Sequence, residues 1–190
     1  MNIEKIEYIN TDYTDELISR LKGSVFHLTC QRSFTCISED KRIRHNQDGR
    51  FPDYPGSENG FGRNRGWVPF FDFRCATDEV IEKTLERYYF LGPSWFKRYH
   101  HDFSEAKLAY LFLSEHGVND LVLNSHARET LKEPVDYEQY IPDTECWFPG
   151  EVSLNLIAKV LLVRIFNDAP KNNPFLYAHH LQLVDSQVLK

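Results

Sequence analysis

A short apolar segment that contains one histidine, Val25-Phe26-His27-Leu28-Thr29, limits what this chain can fold into. Its alternation is typical of a β-strand in which Phe26 and Leu28 share one face, while the polar His27 and Thr29 share the other. Polar side chains in an apolar strand cost desolvation free energy unless they are used. The segment therefore predicts a strand that carries a polar site, and a purely structural histidine is the alternative.

Length and composition favour one domain. The chain has 190 residues, of which 42% are hydrophobic and 14% aromatic. That is enough apolar surface for one full core, and the chain is too short for two comfortable domains. We therefore predict a single domain over residues 1–190.

Charge and cysteine usage exclude some classes of protein. A net charge of −6 disfavours a surface that coats nucleic acid, although the basic strip at residues 41–44 could meet phosphate. The four cysteines lack paired spacing and no apolar signal stretch opens the chain, which predicts reduced thiols in the cytoplasm. No uncharged apolar run reaches the roughly 18 residues of a membrane span.

Sequence patterns predict both strands and helices, hence an α+β fold. Helical spacing predicts a helix that ends at Gly23 and helices at residues 31–39 and 78–89. Strands are predicted at residues 1–9, 25–29, 67–73, 107–114, 118–123, 144–148 and 160–166. The helix at 31–39 begins directly behind Thr29, so its N-terminal N–H groups suit a polar or anionic ligand at the end of that strand.

Individual residues refine these predictions. Pro69 indicates an edge strand or a bulge, because proline cannot donate to a ladder. The turn at Gly117 favours pairing of the runs 107–114 and 118–123, with a polar turn at 124–127 closing the second. In the helix at 78–89, four residues should face inward: Val80, Ile81, Leu85 and Tyr88.

Two further segments leave alternatives open. Residues 45–66 contain five glycines and two prolines, which indicates a long loop that is either a functional lid or a surface insertion. The adjacent pairs His100-His101 and His179-His180 would point in opposite directions on a strand. They lack ligand spacing on one face, so a zinc site is a less favoured hypothesis.

Glu145 is the second candidate functional residue. It lies in a strand-like apolar setting, between Thr144 and Cys146-Trp147-Phe148. A carboxylate in such a setting costs free energy unless it is paired or used. Glu145, the strand-borne His27 and Thr29, and arginines near the glycine-rich loop together suit a ligand with phosphates and ribose hydroxyls. They do not form a hydrolytic triad.

At these residues the chain resembles the ADP-ribosyltransferase fold, and specifically the DarT-type DNA ADP-ribosyltransferase toxins. His27-Leu28-Thr29 resembles their opening His-hydrophobic-Thr strand, and Trp67-Val68-Pro69-Phe70-Phe71 resembles their Tyr-Val-Pro-Phe-Tyr strand. Asn124-Ser125-His126-Ala127 is similar to their Asp-Gly-His-Ala turn. Glu145-Cys146-Trp147-Phe148 is similar to the Ala-Glu-Phe-Leu-Val segment that carries the catalytic glutamate. The motif-bearing core spans about residues 24–166, and the order of the motifs gives the resemblance its weight.

The resemblance implies an ADP-ribosyltransferase-like split β-sheet core with flanking helices, which binds NAD as a co-substrate in the cleft. His27, Leu28 and Thr29 would then bind the ribose or the nicotinamide carboxamide, and Phe70 would line the same site. Glu145 would stabilise the oxocarbenium-like transition state.

Further roles follow from the same resemblance. Arg63 or Arg65 would grip the pyrophosphate or assist at the acceptor, with Arg65 as the catalytic candidate and Arg44 or Arg74 as alternatives. His126 would lie on the acceptor side.

The acceptor and the activity are separate questions from the fold. Asn124-Ser125 replaces the family's Asp-Gly, Trp67 replaces its tyrosine, and the loop at 45–66 does not match the family's own loop. Acceptor specificity usually resides in such variable loops, so the preference for DNA does not carry over. A protein or a single-stranded nucleic acid is the expected acceptor, and a toxin or a phage-defence factor the expected role. The alternative is an inactive module of the same fold that binds a nucleotide or a partner protein through aromatic residues such as Trp95, Phe96 and Tyr99.

Overall fold

A mixed six-stranded β-sheet lies at the centre of the described part of the computed structural model, which covers residues 1–9, 14–49, 60–88, 91, 105–131 and 140–166. The strands are β1 (Asn2–Ile9), β2 (Val25–Cys30), β3 (Arg42–Ile43), β4 (Trp67–Asp72), β5 (Glu105–Leu113), β6 (Glu145–Pro149), β7 (Val152–Ser153) and β8 (Ile157–Phe166). The strand order is β1-β8-β5-β2-β4-β6, and β3 pairs with β7 in a separate small sheet. The β1–β8 pair is parallel and the other pairs are antiparallel.

Helices flank this sheet and complete a single α+β domain, as the sequence predicts. They are α1 (Thr14–Leu21), α2 (Gln31–Asp40), α3 (Phe61–Asn64), α4 (Asp78–Arg87), α5 (Glu115–Val118) and α6 (Asn124–Leu131), with a 3-10 turn at Leu154–Leu156. Their starts follow ordinary capping rules, since Thr77 accepts a hydrogen bond from the N–H of Val80 and Ser114 from that of Gly117. None of the described helices is long and apolar enough to cross a membrane.

The sheet has apolar cores on both faces. We call one of them the α4 face, where Phe26, Phe71 and Tyr110 pack with buried residues of α1 and α4. The other is the α2 face, where Phe70 and Leu111 pack with the buried Phe34 of α2 and other residues. The alternation predicted for the histidine segment is confirmed, because Phe26 and Leu28 pack on the α4 face and Val25 on the α2 face.

The ladder between β2 and β4 is short. Both strands are described along their whole length, yet they pair only at Val25 with Asp72 and at Phe26 with Phe71. Beyond these positions β2 still pairs with β5, and β4 still pairs with β6. The sheet therefore opens between β2 and β4 from His27 onward.

Several sequence predictions need correction. The strand that contains Pro69 is neither an edge nor a bulge but an interior strand between β2 and β6. The run 118–123 does not pair with β5: it holds the end of α5, a turn and an isolated bridge from Val122 to Trp147. The N-cap Ser114 starts a helix there, and β5 pairs instead with β2 and β8.

Three smaller differences concern helices. Residues 124–127 are the first turn of α6 rather than a polar turn between strands. The loop at 45–66 contains the short helix α3, which the glycine content hides. On α4, Ile81 and Leu85 are buried as predicted, but Val80 is 47% exposed. The two adjacent histidine pairs and the aromatic residues 95–99 lie outside the described residues.

Phe26 is the aromatic centre of the α4 face, so its removal should be costly. Its ring is fully buried and contacts the rings of Phe71, Phe73, Tyr110 and Phe112. Phe26→Ala should lower the free energy of unfolding by about 3–5 kcal/mol, measured by urea denaturation. Ile3→Ala, at a position 48% exposed, is the matched control and should change it by less than about 0.5 kcal/mol. A loss below about 1 kcal/mol for Phe26→Ala would contradict this packing.

Candidate functional site

Pro69 gives a physical reason for the opening between β2 and β4. It lies opposite Trp147 of β6, whose backbone N–H and carbonyl bond instead to Val122 on the far side, at 3.0 and 2.8 Å. By the alternation of an antiparallel ladder, the backbone nitrogen and carbonyl of Pro69 point toward β2. Proline has no N–H to donate there. The β2–β4 ladder therefore stops where Pro69 would have to supply a donor.

His27 bonds across this gap with its side chain. Its Nδ1 lies 2.9 Å from the carbonyl oxygen of Pro69, and because a carbonyl only accepts, Nδ1 carries the proton. Burial lowers the pKa of His27, against the opposing effect of the bond to Pro69. The imidazole is therefore neutral at pH 7, and Nε2 keeps a lone pair that can accept a hydrogen bond from a ligand.

The residues next to His27 divide between the two faces. Thr29 shares the α2 face with His27, and both are half-buried. Leu28 lies on the α4 face and packs at the margin of that core. Phe70 is fully buried on the α2 face, with its ring centroid 5.8 Å from that of His27. Phe70 therefore supports the histidine from the core.

The start of α2 lies where the sequence predicts it, directly behind Thr29. Cys30 is the N-cap, and its sulfur accepts a hydrogen bond from the N–H of Ser33 at 3.4 Å. The first turn of α2 carries no acidic side chain. The helix therefore presents its positive dipole end at the open end of β2.

Glu145 is buried on the α4 face, at the start of β6. It pairs with Phe71 of β4, which in turn pairs with Phe26 of β2. Glu145 therefore lies at the level of the sheet where β2 and β4 are still paired. One carboxylate oxygen accepts a hydrogen bond from the backbone N–H of Ile141 at 2.8 Å, and the other accepts one from the indole N–H of Trp147 at 3.0 Å. Both oxygens therefore have a protein donor.

Burial dominates the acid–base behaviour of Glu145. It raises the pKa from 4.5 to about 7, against the two N–H donors, which favour the charged form. This carboxyl group can therefore change its charge near neutral pH.

His27 and Glu145 do not share a face of the sheet. His27 pairs with Leu111 on the α2 face, whereas Glu145 pairs with Phe71 on the α4 face. They lie on strands separated by β4, a lateral spacing of roughly 10 Å. The sequence predicts that His27 and Glu145 line one cleft, but their side chains point to opposite faces of the sheet.

Of the two candidate arginines, Arg63 lies in the last turn of α3 and Arg65 follows that helix, before β4. The Nε–H of Arg63 donates to the carbonyl of Asn46 at 2.8 Å. The guanidinium of Arg65 stacks on the ring of Phe61 at 3.8 Å and donates to the Phe61 carbonyl. Because Phe61 packs against Trp147, Arg65 belongs to the side of the sheet that carries Glu145.

The three remaining candidates lie outside β2, the strand that carries His27. His126 is exposed on the first turn of α6. Arg44 forms an ion pair with Asp40, and Arg74 forms one with Asp72, at 2.9 and 2.6 Å. The ion-pair partners of both arginines are aspartates, not His27 or Glu145.

Three partners of the site are not predicted from the sequence: Trp147, the Ile141 N–H and the Pro69 carbonyl. Trp147 could have been found, because residues 145 and 147 share a face of one strand. The Ile141 N–H and the Pro69 carbonyl are backbone groups that have no sequence signal.

Comparison with protein-family models, with curated proteins and with solved structures gives no match. The resemblance to DarT-type toxins therefore rests on its short motifs.

The raised pKa of Glu145 makes stability depend on pH. Below pH 4.5 the carboxyl is protonated in both the folded and the unfolded state, so Glu145 adds no penalty. As the pH rises to about 7, the unfolded chain ionises first and the folded state loses about 3 kcal/mol relative to it. Urea denaturation between pH 4.5 and 8 should therefore show the stability of wild type falling relative to Glu145→Gln.

The exposed carboxylate Glu79 provides the control for this experiment. Glu79→Gln should follow the wild-type pH dependence closely, because an exposed ion pair such as that with Lys83 contributes little. Parallel curves for wild type and Glu145→Gln would contradict the burial of an ionisable carboxyl at position 145.

Proposed function

We propose that this protein is an NAD-dependent mono-ADP-ribosyltransferase that transfers ADP-ribose to a nucleic-acid or protein acceptor. The observation that carries the proposal is the strand order. The strands with the His-Leu-Thr motif, the Val-Pro-Phe motif and Glu145 are the neighbours β2, β4 and β6. The resemblance implies a split β-sheet core, and the short β2–β4 ladder supports this proposal.

The chemistry of the opening suits a nicotinamide nucleotide. The Nε2 of a neutral His27 accepts a hydrogen bond from a carboxamide N–H or a ribose hydroxyl, and the Thr29 hydroxyl can donate or accept. The dipole at the start of α2 favours the negative charge of a pyrophosphate nearby. These groups supply both polar recognition and partial positive charge at one end of the gap.

The proposed reaction exchanges one bond at the ribose C1′. The bond to nicotinamide breaks, nicotinamide leaves with the electron pair, and a nucleophilic atom of the acceptor bonds to C1′ and releases its proton. Positive charge develops on the ribose, and a carboxylate stabilises it. In this proposal Glu145 provides that charge, and Arg65, on the same side of the sheet, assists at the acceptor.

A second function, nucleotide binding without catalysis, is favoured by one specific observation. Both oxygens of Glu145 already accept hydrogen bonds in a buried setting on the face opposite His27. A carboxylate held in this way is suited to a structural role. In that case His27 and Thr29 would bind the ligand, and no transfer would follow.

NAD labelled in its adenine ring or its nicotinamide separates the two functions. The purified protein is incubated with each form and with mixed protein and single-stranded nucleic-acid acceptors, and label transfer and nicotinamide release are measured. The transferase should show both, with a loss of at least about 100-fold for Glu145→Gln and a weaker NAD affinity for His27→Ala.

Matched variants and a binding assay complete this experiment. Glu79→Gln and His116→Ala change exposed residues on α4 and α5 and should keep wild-type turnover. NAD binding by calorimetry that depends on His27, with no turnover in any variant, would support the binding module. A protein that neither binds NAD nor turns it over would contradict both functions.

A further inference from the structure

The indole of Trp147 is held by ring packing and by one hydrogen bond. It is 1% exposed, and its ring lies 4.5 Å from that of Phe61 and 6.0 Å from that of Tyr140. An indole N–H can only donate, and here it donates to Glu145 at 3.0 Å. Packing therefore sets the direction of the hydrogen bond that reaches the carboxylate.

Gly62 makes this arrangement possible. The α3 backbone approaches the indole so closely that a Cβ at position 62 would lie 2.9 Å from Nε1 and closer still to Cδ1. Contacts below 3.0 Å require something to shift. Any larger residue at position 62 would therefore displace the indole from its place beside Glu145.

The segment that contains Gly62 also carries the candidate arginines. Arg63 is part of α3 and Arg65 follows it, with its guanidinium on the ring of Phe61. Phe61 and Gly62 both contact the Trp147 indole. One rigid contact surface therefore joins the arginine segment to the carboxylate.

We propose that Trp147 is a positioning residue for Glu145. Its indole N–H fixes the orientation of the carboxylate. The close contact between the indole and Gly62 makes that orientation depend on the position of the segment that carries Arg63 and Arg65. The inference rests on the proposed function for its catalytic consequence. The contact itself is tested separately from turnover.

Charges on the surrounding elements do not explain the properties of this carboxyl. Burial raises its pKa and the two N–H donors oppose that rise, with no contribution from a charged side chain. Among the described side chains, the packed elements carry these ionisable groups: Asp72 and Arg74 at and just after the end of β4, Arg63 on α3 and Arg65 after it, His126 and Glu129 on α6, Tyr140 and Asp143 before β6, and Cys146 on β6. Asp72 and Arg74 pair with each other at 2.6 Å.

The first test needs no substitution. In wild-type protein labelled with 15N, the Trp147 indole N–H signal should move with pH, with its midpoint near the pKa of Glu145 at about 7. The carboxyl carbon of 13C-labelled glutamate reports the same midpoint, assigned by its loss in Glu145→Gln. The Trp67 indole is the internal reference and should not follow this titration. An unresponsive Trp147 signal would overturn the proposal.

Two variants test the consequence for Glu145. Trp147→Phe keeps an aromatic ring but removes the donor, so the carboxyl midpoint should rise by about 1 pH unit. Gly62→Ala should raise it in the same direction, because the indole is displaced. Trp67→Phe, a change in the same aromatic cluster, should leave it in place. A carboxyl midpoint that is the same in Trp147→Phe as in wild type would also overturn the proposal.

Turnover gives a readout that a merely structural role would not move. If NAD is consumed, the acid limb of the kcat/KM profile should shift upward in Trp147→Phe by the same amount as the carboxyl midpoint. A coupled indole titration without NAD turnover would contradict the proposed function and leave the positioning contact standing. Turnover with an uncoupled indole would contradict only the positioning role.

Discussion

The organisation of the site depends on one hydrogen bond that β4 cannot make. Pro69 faces β2 with a carbonyl but no N–H, and the β2–β4 ladder ends two pairs after it begins. The Nδ1–H of His27 donates a hydrogen bond to the Pro69 carbonyl, which fixes the tautomer of His27 and leaves the Nε2 lone pair available to a ligand. A proline and a histidine on adjacent strands thus produce an interruption in the sheet and the polar group that lines it.

The ladders on either side of this interruption continue. β2 pairs with β5 through Cys30, and β4 pairs with β6 along nearly its whole length. The apolar cores on both faces hold the strands in place where they do not bond to each other. A polar opening can therefore lie in the interior of the sheet, where loss of pairing would otherwise expose unsatisfied backbone groups.

Glu145 is held by a different set of contacts. Its carboxylate bonds to Ile141 and Trp147, and its burial raises its pKa toward neutrality. The energetic cost of that burial is present whether or not the carboxylate takes part in a reaction. A buried carboxyl with this property is typical of functional sites but also occurs in structural networks. The direction of its side chain, opposite to His27, is the main physical argument for binding without catalysis.

The sequence predicted the parts of this fold that depend on local pattern. The face of each residue in the histidine segment and the start of α2 behind Thr29 follow from periodicity and agree with the structure. The strand neighbours do not follow from it. Pro69 indicated an edge strand because its missing donor is a local property, while its interior position depends on which strands pair across the sheet.

The site shows the same limit. His27 and Glu145 stand out in the sequence as polar residues in apolar strands, but periodicity within each strand says nothing about whether two strands present them on one face. The register through Phe26, Phe71 and Glu145 decides that question. The α3 helix was missed because Gly60, Gly62 and Gly66 read as loop residues. Only the packed indole explains why position 62 has to be glycine.

The most direct test of this account is the 15N spectrum of the histidine side chains with and without NAD. We predict that His27 is a neutral imidazole protonated at Nδ1, and that its Nε2 signal shifts on addition of NAD while that of the exposed His116 does not. A His27 ring protonated at Nε2, or signals unchanged at saturating NAD, would contradict the claim that the opening between β2 and β4 is the nucleotide site.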